Sequence, residues 1–508
     1  MDWVDEEDGE SMRSSDKKES VGPSRTSRRK FLASTASISA GLILARKGFG
    51  QEAGAAPAEA AATEAAPATA EASAATAATT VPAAATAPAA APRVRRQLSP
   101  TSDLNIALIG LGAEGMVLMD AMLRIPGIRF KAVCDIWDYS LKRGKGMLKA
   151  YKHDVNAYED YQDLLANEPD LDAVVIATPD FMHAEHAIAC MKTGLDVYCE
   201  KEMSNNLALA REMVLTSRET GRLLQIGHQR RSNPRYHHAI NRMILENRLV
   251  GRVTQANAQW NRAKSDDLGW AKKLEIPAAK LAKYGYDSMQ HFRNWRWYKK
   301  YGGGPIVDLG SHQIDIFSWV FGVMPKSVIA GGGIDFYPHH EWYDNVMAIY
   351  EYENEAGISR AYYQVLTTTS YGGFHELFMG EDGALKISEV PQQGNEFYRE
   401  ALAPDWMPYA DSGLLLPPPE DEPVATKTKD VVLDVRVSPK PLAWEIPVEL
   451  TKLAHQPHLE NFFDAIRVGT PLNCPAEMGY ETAVAVLRVN EAVEARTMLE
   501  FAPEEFVV

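Results

Sequence analysis

Continuously apolar segments alternate with amphipathic ones between residues 105 and 228. The run Ile106–Ile109 has no polar side chain, similar runs cover about 172–178 and 195–199, and a helical pattern lies near 184–193. Strands that are buried on both faces have this pattern because helices cover both sides of a parallel sheet. The alternation predicts a doubly wound parallel sheet.

The pattern changes after residue 231. The stretches Val346–Tyr352 and Arg360–Leu366 are rich in β-branched and aromatic residues, which favours a mostly antiparallel sheet, and amphipathic helices follow near 458–468 and 476–496. The predicted fold class is therefore α/β followed by α+β: a doubly wound parallel sheet, then a domain with an open, mostly antiparallel sheet.

Composition divides the chain further. Residues 51–102 are dominated by Ala, Thr and Pro, which cannot bury enough surface to offset their ordering entropy, so we predict a disordered linker. We expect a signal region at 1–50, a dinucleotide-binding domain at 103–228 and a substrate and oligomerisation domain at 229–508. Residues 389–451, rich in proline and charge, indicate an insertion in that last domain.

Charge and cysteine content exclude some function classes. The 508-residue chain has a formal net charge of -15, which argues against a nucleic-acid partner because such affinity depends on clustered Lys and Arg. Its four cysteines are far apart and show no zinc-ligand spacing, so we interpret them as free buried thiols: Cys134, Cys190, Cys199 and Cys474.

The glycine motif Gly110-Leu-Gly112-Ala-Glu-Gly115 follows the first apolar run and precedes a helical pattern. Between a strand and a helix, this spacing is typical of a dinucleotide-binding turn: the first glycine permits the turn, the second the approach of the pyrophosphate, and the third close helix packing. Asp135 ends the second predicted strand, 20 residues after the last glycine. It can accept bonds from the adenosine ribose, which favours NAD over NADP, although Lys142 and Arg143 lie nearby; the alternative is a helix cap.

An export signal is predicted near the amino terminus. Ser27-Arg28-Arg29-Lys30-Phe31-Leu32-Ala33 precedes a weakly apolar stretch to Ala45, which is too short and too polar to span a bilayer, and Arg46 and Lys47 follow. This pattern resembles twin-arginine substrates, which cross the membrane already folded. We expect an extracytoplasmic protein that travels with its cofactor loaded and meets the twin-arginine machinery; the alternative is a basic tail with a chance Arg-Arg pair.

Three further motifs lie at strand ends or on a helix: Ala177–His183, Tyr198–Glu202 and Gly302–Asp315. With the glycine turn, they resemble the glucose-fructose oxidoreductase, inositol dehydrogenase and MocA family over about residues 103–500. The resemblance implies that Lys201, Asp308 and His312 form the catalytic group and that an open sheet serves oligomerisation. It also implies cofactor binding by Gly110, Gly112, Gly115, Asp135, Thr178, Pro179, His183, Glu200 and Lys201.

The spacing of Asp308, His312 and Asp315 places all three on one face if the segment is helical. His312 can then take a hydroxyl proton while Asp308 orients it, and Lys201 can stabilise negative charge on the reacting oxygen. The alternatives are a buried structural histidine or a metal site made by these three residues. A metal at His183 and His186 is less favoured by the helix start there, and we expect no metal.

The chain departs from the family pattern at Glu202, where the family usually has proline after the lysine. A cis bond without proline costs about 3 kcal/mol. Two alternatives are therefore open: the loop has a different course from that of the family, or Glu202 adds an acid to the site. The aromatic residues of Arg293–Tyr298 can stack on a sugar, but core or interface packing is the favoured use.

These features predict an NAD-dependent oxidoreductase, with NADP less favoured, that acts on a sugar, polyol or glycoside hydroxyl and keeps its cofactor tightly bound. The alternative is a redox-neutral glycosidase that works by transient oxidation and elimination. A third interpretation is a noncatalytic binding protein with the same fold. The presence of Lys201, Asp308 and His312 disfavours it.

Overall fold

The computed structural model describes residues 96–419 and 441–508. The predicted export signal and most of the predicted linker lie outside these residues. The first sheet has six strands: β1 (Leu104–Ile109), β2 (Ile128–Cys134), β3 (Asn156–Tyr158), β4 (Ala173–Ile176), β5 (Asp196–Cys199) and β6 (Leu224–Ile226). The helices between them are α1 (Ala113–Met122), α2 (Asp138–Ala150), α3 (Tyr161–Asn167), α4 (Asp180–Lys192) and α5 (Leu207–Thr220).

All six strands are parallel, in the order β3-β2-β1-β4-β5-β6. Every residue of β4 and β5 is buried, because helices cover both faces of the sheet. This order reverses between β1 and β4, where ligands of doubly wound sheets bind at the carboxyl ends of the strands. The predicted Rossmann-type sheet is confirmed.

The second sheet has nine strands in the order β14-β13-β12-β11-β7-β10-β9-β8-β15, and only the pair β7 and β10 is parallel. Its strands are β7 (Val253–Asn261), β8 (Ser327–Gly333), β9 (Asn345–Asn354), β10 (Gly357–Leu366), β11 (Phe374–Gly380), β12 (Gly383–Ile387), β13 (Asn395–Arg399), β14 (Leu442–Glu445) and β15 (Leu499–Glu500). The mostly antiparallel sheet that the sequence predicts is confirmed.

Seven further helices follow β6 in the described residues. They are α6 (Pro234–Tyr236, continuing as a π-helix over His237–Glu246), α7 (Ala278–Lys283), α8 (Met289–Arg293), α9 (Ser311–Phe321), α10 (Met407–Asp411), α11 (Gln456–Val468) and α12 (Ala476–Ala495). None of the described helices is long and apolar enough to cross a membrane.

One face of the nine-stranded sheet is covered and the other is open. In β9, Val346, Ala348, Tyr350 and Tyr352 are buried, while the intervening side chains are more exposed. The Tyr350 hydroxyl donates a hydrogen bond to the carbonyl oxygen of Ala485 in α12 (3.0 Å). Helix α12 therefore packs on the inner face, and the alternation of β9 reflects one covered side and one open side.

Two predicted segments are more ordered than their composition indicated. Arg96, within the predicted linker, forms an ion pair with Asp172 at the start of β4. Within the predicted insertion, β13 and β14 extend the second sheet, and Trp406 and Trp444 pack at a ring distance of 5.9 Å. The described parts of 389–451 are thus built into the sheet; the domain boundaries themselves stay predictions.

Candidate active site

The sheet brings Lys201 and Asp308 together. Lys201 lies two residues after the end of β5, at the carboxyl end of the parallel sheet, while Asp308 lies in a wide π-helical turn, Ile306–Gly310, that leads into α9. The Lys201 ammonium donates a hydrogen bond to the backbone oxygen of Asp308 and lies 3.9 Å from its carboxylate. Two residues that are 107 positions apart in sequence therefore form one polar group.

The Asp308 carboxylate is surrounded by cations. Arg296 Nε donates to one oxygen (3.0 Å), and Arg262 lies 3.9 Å from the other. Burial alone would raise the pKa of Asp308, but Arg296, Lys201 and Arg262 together hold it well below its usual value. Asp308 therefore stays ionised. We predicted that it orients His312; in the structure its carboxylate binds Arg296 instead.

His312 lies in the first turn of α9 and is only 7% exposed. Its Nδ1 is buried and makes no hydrogen bond within the described residues, and its ring stacks against Trp260 (6.1 Å) and meets the edge of His228 (6.0 Å). Burial, and then the charge of Lys201, lowers the pKa of His312 well below its usual value. The imidazole is neutral at pH 7 and can accept a proton.

Asp315 does not share this site. Its carboxylate binds Arg231 (2.7 Å) and accepts a hydrogen bond from Thr482 (3.0 Å), deep in the core. The wide turn over Ile306–Gly310 changes the helical period, so spacing alone does not place Asp308 and Asp315 on one face. Within the described residues, Asp308, His312 and Asp315 do not converge as a metal site.

The glycine turn fits a dinucleotide pyrophosphate. Gly110 has a φ of +94°, and a Cβ there would lie 2.5 Å from the oxygen of Ala177; a Cβ on Gly115 would lie 1.9 Å from the oxygen of Gly110. A Cβ on Gly112 would meet nothing within 4 Å, although this residue precedes the first turn of α1 and no side chain caps that turn. Gly112 thus borders open space at the start of α1, which a phosphate group can enter.

Asp135 ties this turn to the next helix. Its carboxylate accepts hydrogen bonds from the backbone N–H groups of Leu111 and Trp137, both at 2.8 Å, the second at the start of α2. Burial raises its pKa to about 6 against these bonds. Asp135 is not the cap of α2, since Trp137 is the N-cap residue and no side-chain hydrogen bond caps it. Ribose binding by Asp135 stays a prediction.

The loop Thr178-Pro179 joins β4 to α4, and His183 anchors it. The His183 ring nitrogens lie 2.6 Å from the backbone oxygens of Thr178 and Glu202, and the side chain is 1% exposed. Burial lowers its pKa to about 4, so a neutral ring donates to one carbonyl only. In the structure His183 holds the Lys201 loop against the Thr178 loop; cofactor binding by His183 stays a prediction.

Two buried glutamates flank Lys201. Glu200 accepts a hydrogen bond from Tyr198 (3.1 Å) and packs against Gly227, and burial raises its pKa to about 7. The Lys201–Glu202 peptide bond is cis in the structure. The Glu202 carboxyl is 1% exposed, one of its oxygens has no partner in the described residues, and burial raises its pKa to about 8. Glu202 thus keeps its proton at neutral pH.

Sequence reasoning missed several residues of the site. Arg262 follows β7, Arg296 lies in the aromatic segment, and Asp180 begins α4 with its pKa raised to about 7 by burial. His228 is 1% exposed, and neither ring nitrogen has a partner in the described residues. Two signals were available in the sequence: the motif Gly227–Arg231 and the aromatic segment Arg293–Tyr298, called the tryptophan-rich segment below. Neither specifies a contact with the catalytic group.

Comparison with known proteins identifies the same family in both sheet-containing parts of the chain. A family model described as "Oxidoreductase family, NAD-binding Rossmann fold" matches residues 104–228, and one described as "GFO/IDH/MocA C-terminal domain" matches residues 238–386. A 4-carboxy-2-hydroxymuconate-6-semialdehyde dehydrogenase from Sphingobium is 34% identical over 34% of this chain and 54% of its own. An inositol 2-dehydrogenase from Rhodococcus jostii is 31% identical over 32% of this chain and 42% of its own. The chain thus spans about half the length of these curated relatives.

Solved structures show the same fold over a greater length. The WlbA dehydrogenase from Bordetella pertussis, solved with NADH and UDP-GlcNAcA, is 16% identical, with a TM-score of 0.56 over 79% of this chain and 99% of its own. A myo-inositol 2-dehydrogenase from Lactobacillus plantarum is 18% identical, with a TM-score of 0.55 over 79% of this chain and all of its own. At these identities the likeness shows the fold.

Proposed function

This chain belongs to the GFO/IDH/MocA family of oxidoreductases, and we propose that it transfers a hydride between a tightly bound NAD and a hydroxyl group of a sugar, polyol or glycoside. The observation that carries the proposal is the contact of Lys201 with Asp308 at the carboxyl end of the parallel sheet that carries the glycine turn. The charge of Lys201 also acts on His312, whose imidazole is neutral. The relatives named for inositol and anhydrofructose support the substrate class.

The glycine turn Gly110–Gly115 would hold the pyrophosphate of NAD, which would supply the hydride acceptor for the carbon that carries the reacting hydroxyl. The chain supplies the proton chemistry. Because the pKa of His312 is lowered well below its usual value, its imidazole is neutral at pH 7 and is available to accept the hydroxyl proton. Lys201 donates a hydrogen bond to the reacting oxygen and stabilises its negative charge, and Asp308 holds the ammonium in place. Trp260 limits the orientation of His312.

Cofactor content tests the proposal. The full chain is purified without added nucleotide, denatured, and the supernatant is assayed for NAD and NADP. We expect close to one NAD per chain, and reduction of that bound NAD when sugars or polyols are added. A protein that carries no nucleotide and takes up none on incubation would contradict the proposal.

The predicted alternative, redox-neutral glycoside cleavage, uses the same residues. A relative named 2,7-anhydro-N-acetylneuraminate hydratase, 24% identical over 45% of this chain, favours chemistry of this kind within the family. The two functions differ in stoichiometry. Cleavage of a single glycoside with no net change in bound NADH would favour the alternative, and accumulation of NADH without cleavage would favour the dehydrogenase.

We further propose that the protein is exported folded by the twin-arginine machinery and acts outside the cytoplasm. The support is the sequence around Arg28 and Arg29. Residues 1–60 fused to a reporter that works only after folded export should give activity, and Arg28→Lys with Arg29→Lys should abolish it. Activity that survives the double substitution would contradict the proposal. Because the cofactor pool outside the cytoplasm is small, tight binding of NAD would follow from this location.

Self-association through the open sheet face is a related proposal. Four apolar side chains on β8, β9 and β10 are 41–44% exposed: Ile329, Met347, Ile349 and Ile358. Such a patch on a sheet is typical of an interface. Light scattering after size exclusion should give a multiple of the chain mass, and Ile349→Glu should lower that mass.

A further inference from the structure

The cavity beside the catalytic group carries more positive than negative charge. It opens between the end of β7, the tryptophan-rich segment and the turn before α9. The residues that line it include Arg262, Ser265, Arg296, Trp297, Asp308 and Thr367. Two arginines and one aspartate thus face the space that a substrate of Lys201 would enter.

Arg262 has no hydrogen-bonding partner for its guanidinium in the described residues. The strand fixes its backbone, since its N–H donates to Leu366 (2.8 Å), while the side chain is 53% exposed. The guanidinium lies over the ring of Trp260 (5.5 Å) and reaches only to 3.9 Å from Asp308. A guanidinium has five N–H donors in a planar fork, so those of Arg262 remain available to a ligand.

Asp308 cannot balance the cations around it. One ionised carboxylate faces Arg296, Arg262 and Lys201. Asp180, which also acts on Arg296, has a pKa raised to about 7 by burial, so it carries only part of a charge at neutral pH; Glu114 acts on Arg296 less strongly than Asp180. Burial lowers the pKa of Arg262 although Asp308 raises it, and the charge of Arg296 acts in the same direction as burial. An anion that enters the cavity would offset the positive charge of both guanidiniums.

A further arginine near the same ring is already neutralised. Arg230 lies 5.5 Å from the ring of Trp260, but it forms ion pairs with Glu376 and Glu389, and its side chain is 1% exposed. Arg230 therefore serves the core. Of the two arginines at Trp260, Arg262 is thus the one that faces the cavity, and within the described residues its guanidinium has no hydrogen-bonded carboxylate.

We propose that the substrate of this site is an acidic sugar, and that Arg262 binds its carboxylate while Lys201 and His312 act on a hydroxyl of the same molecule. This inference rests on the proposed function and names its substrate class. A planar carboxylate matches the fork of a single guanidinium in two parallel hydrogen bonds. The rings of Trp260 and Trp297 border the site and supply apolar surface for the sugar.

Binding tests the inference without turnover. Calorimetry on the protein loaded with NAD compares D-glucuronate and D-galacturonate with D-glucuronamide, which has the same shape as the first acid but no charge, and with glucose 6-phosphate. We expect at least one acid to bind about tenfold or more tightly than its uncharged counterpart, because a charge-assisted pair is lost with the charge. Equal binding of acids and amide, or tighter binding of the phosphate, would overturn the assignment.

Three variants locate the contact. Arg262→Gln should weaken acid binding by about 10- to 100-fold and leave amide binding within about threefold, and Arg262→Lys should restore part of the loss. The matched control is Arg129→Gln, since Arg129 is 55% exposed, is paired with Asp103 and lies at the amino end of β2, whereas the site lies at the carboxyl ends of the strands. Equal loss of acid and amide in Arg262→Gln would mean a structural role and would overturn the proposal.

Turnover separates this inference from the proposed function. Reduction of bound NAD by glucose or myo-inositol as readily as by the acids would leave the oxidoreductase proposal standing and overturn the acidic substrate. Tight binding of an acid with no reduction of NAD by any sugar would overturn the oxidoreductase proposal and leave the binding of an acidic sugar standing. A KM for the acid that rises with salt, while that for a neutral sugar does not, is the expected signature of Arg262.

Discussion

At the residue scale, the site depends on which groups keep or lose their protons. Asp308 stays ionised among three cations, whereas Glu202, Glu200 and Asp180 have raised pKa values because they are buried. His312 stays neutral because it is buried beside Lys201. These states follow from solvation and neighbouring charge, and they give the site a proton acceptor and a fixed cation at pH 7.

Replacement of His312 tests the proton acceptor. His312→Ala should lower kcat by about 10²- to 10⁴-fold while the NAD content per chain is unchanged. The control is His339→Ala, because His339 is 59% exposed and lies outside the cavity. Since the pKa of His312 is lowered, the acid limb of kcat/KM should lie below pH 6.5. Turnover within threefold of the unsubstituted protein would remove His312 from the mechanism.

Glu202 predicts how stability depends on pH. Its folded pKa of about 8 exceeds the unfolded value, so the folded state binds more protons and stability falls as pH rises toward 8. Between pH 6 and 8 this group should cost roughly 2 kcal/mol. Urea unfolding at both pH values measures the free energy of unfolding. Between pH 6 and pH 8 this free energy should fall by roughly 2 kcal/mol less in Glu202→Gln than in the unsubstituted protein. The control Glu212→Gln alters an exposed side chain of α5 and should leave the pH dependence unchanged.

At the element scale, the glycine turn and α1 form the cofactor end of the site. The turn is closed by contacts among its own neighbours: Gly110 approaches Ala177, and Gly115 approaches Gly110. Gly112 differs because it faces open space at the start of α1. The same short motif therefore contains two glycines required by packing and one, Gly112, at which packing alone would accept a side chain.

This difference gives a prediction at Gly112. Gly112→Ala should fold with a Tm close to that of the unsubstituted protein without nucleotide but lose most of its bound NAD, because the methyl group occupies the path of the pyrophosphate. Gly146→Ala in α2, where a Cβ also meets nothing within 4 Å, should keep its NAD. Full NAD content in Gly112→Ala would show that the phosphates bind elsewhere.

At the scale of the whole molecule, buried polar contacts join the segment after β6 to the second sheet and its helices. Arg231 follows β6 and binds Asp315 in α9, which also accepts a hydrogen bond from Thr482 in α12. His458 in α11 hydrogen bonds to Ser232 (2.6 Å) and lies 2.8 Å from the carbonyl oxygen of Ile226. These contacts fix the carboxyl end of the first sheet relative to α9, which carries His312.

Removal of one partner should therefore destabilise the protein as a whole. Asp315→Ala leaves Arg231 buried without its counter-ion, and we expect a loss of about 3–5 kcal/mol in the free energy of unfolding, measured with urea. Asp464→Ala is the matched control, since Asp464 is 55% exposed and 3.8 Å from its partner Arg467; it should cost less than about 1 kcal/mol. Equal effects would show that the buried pair contributes little.

The sequence by itself determined the parts of this protein that local pattern encodes. The apolar run into Gly110, Gly112 and Gly115 determined the dinucleotide turn, since strand, turn and helix are consecutive in the chain. The change from continuous to alternating apolar positions determined the change from a parallel to a mostly antiparallel sheet. Lys201, Asp308 and His312 were identified from motifs of this kind.

Tertiary structure decided which of these residues meet and in which state of charge. Arg262 and Arg296 reach Asp308 only because β7 pairs with β10 in one register and because the tryptophan-rich segment folds over the turn before α9. Asp315, which helical spacing placed on one face with Asp308 and His312, binds Arg231 in the core instead. The physical reason is that solvation and Coulomb energy depend on neighbours distant in sequence, and no local pattern encodes them.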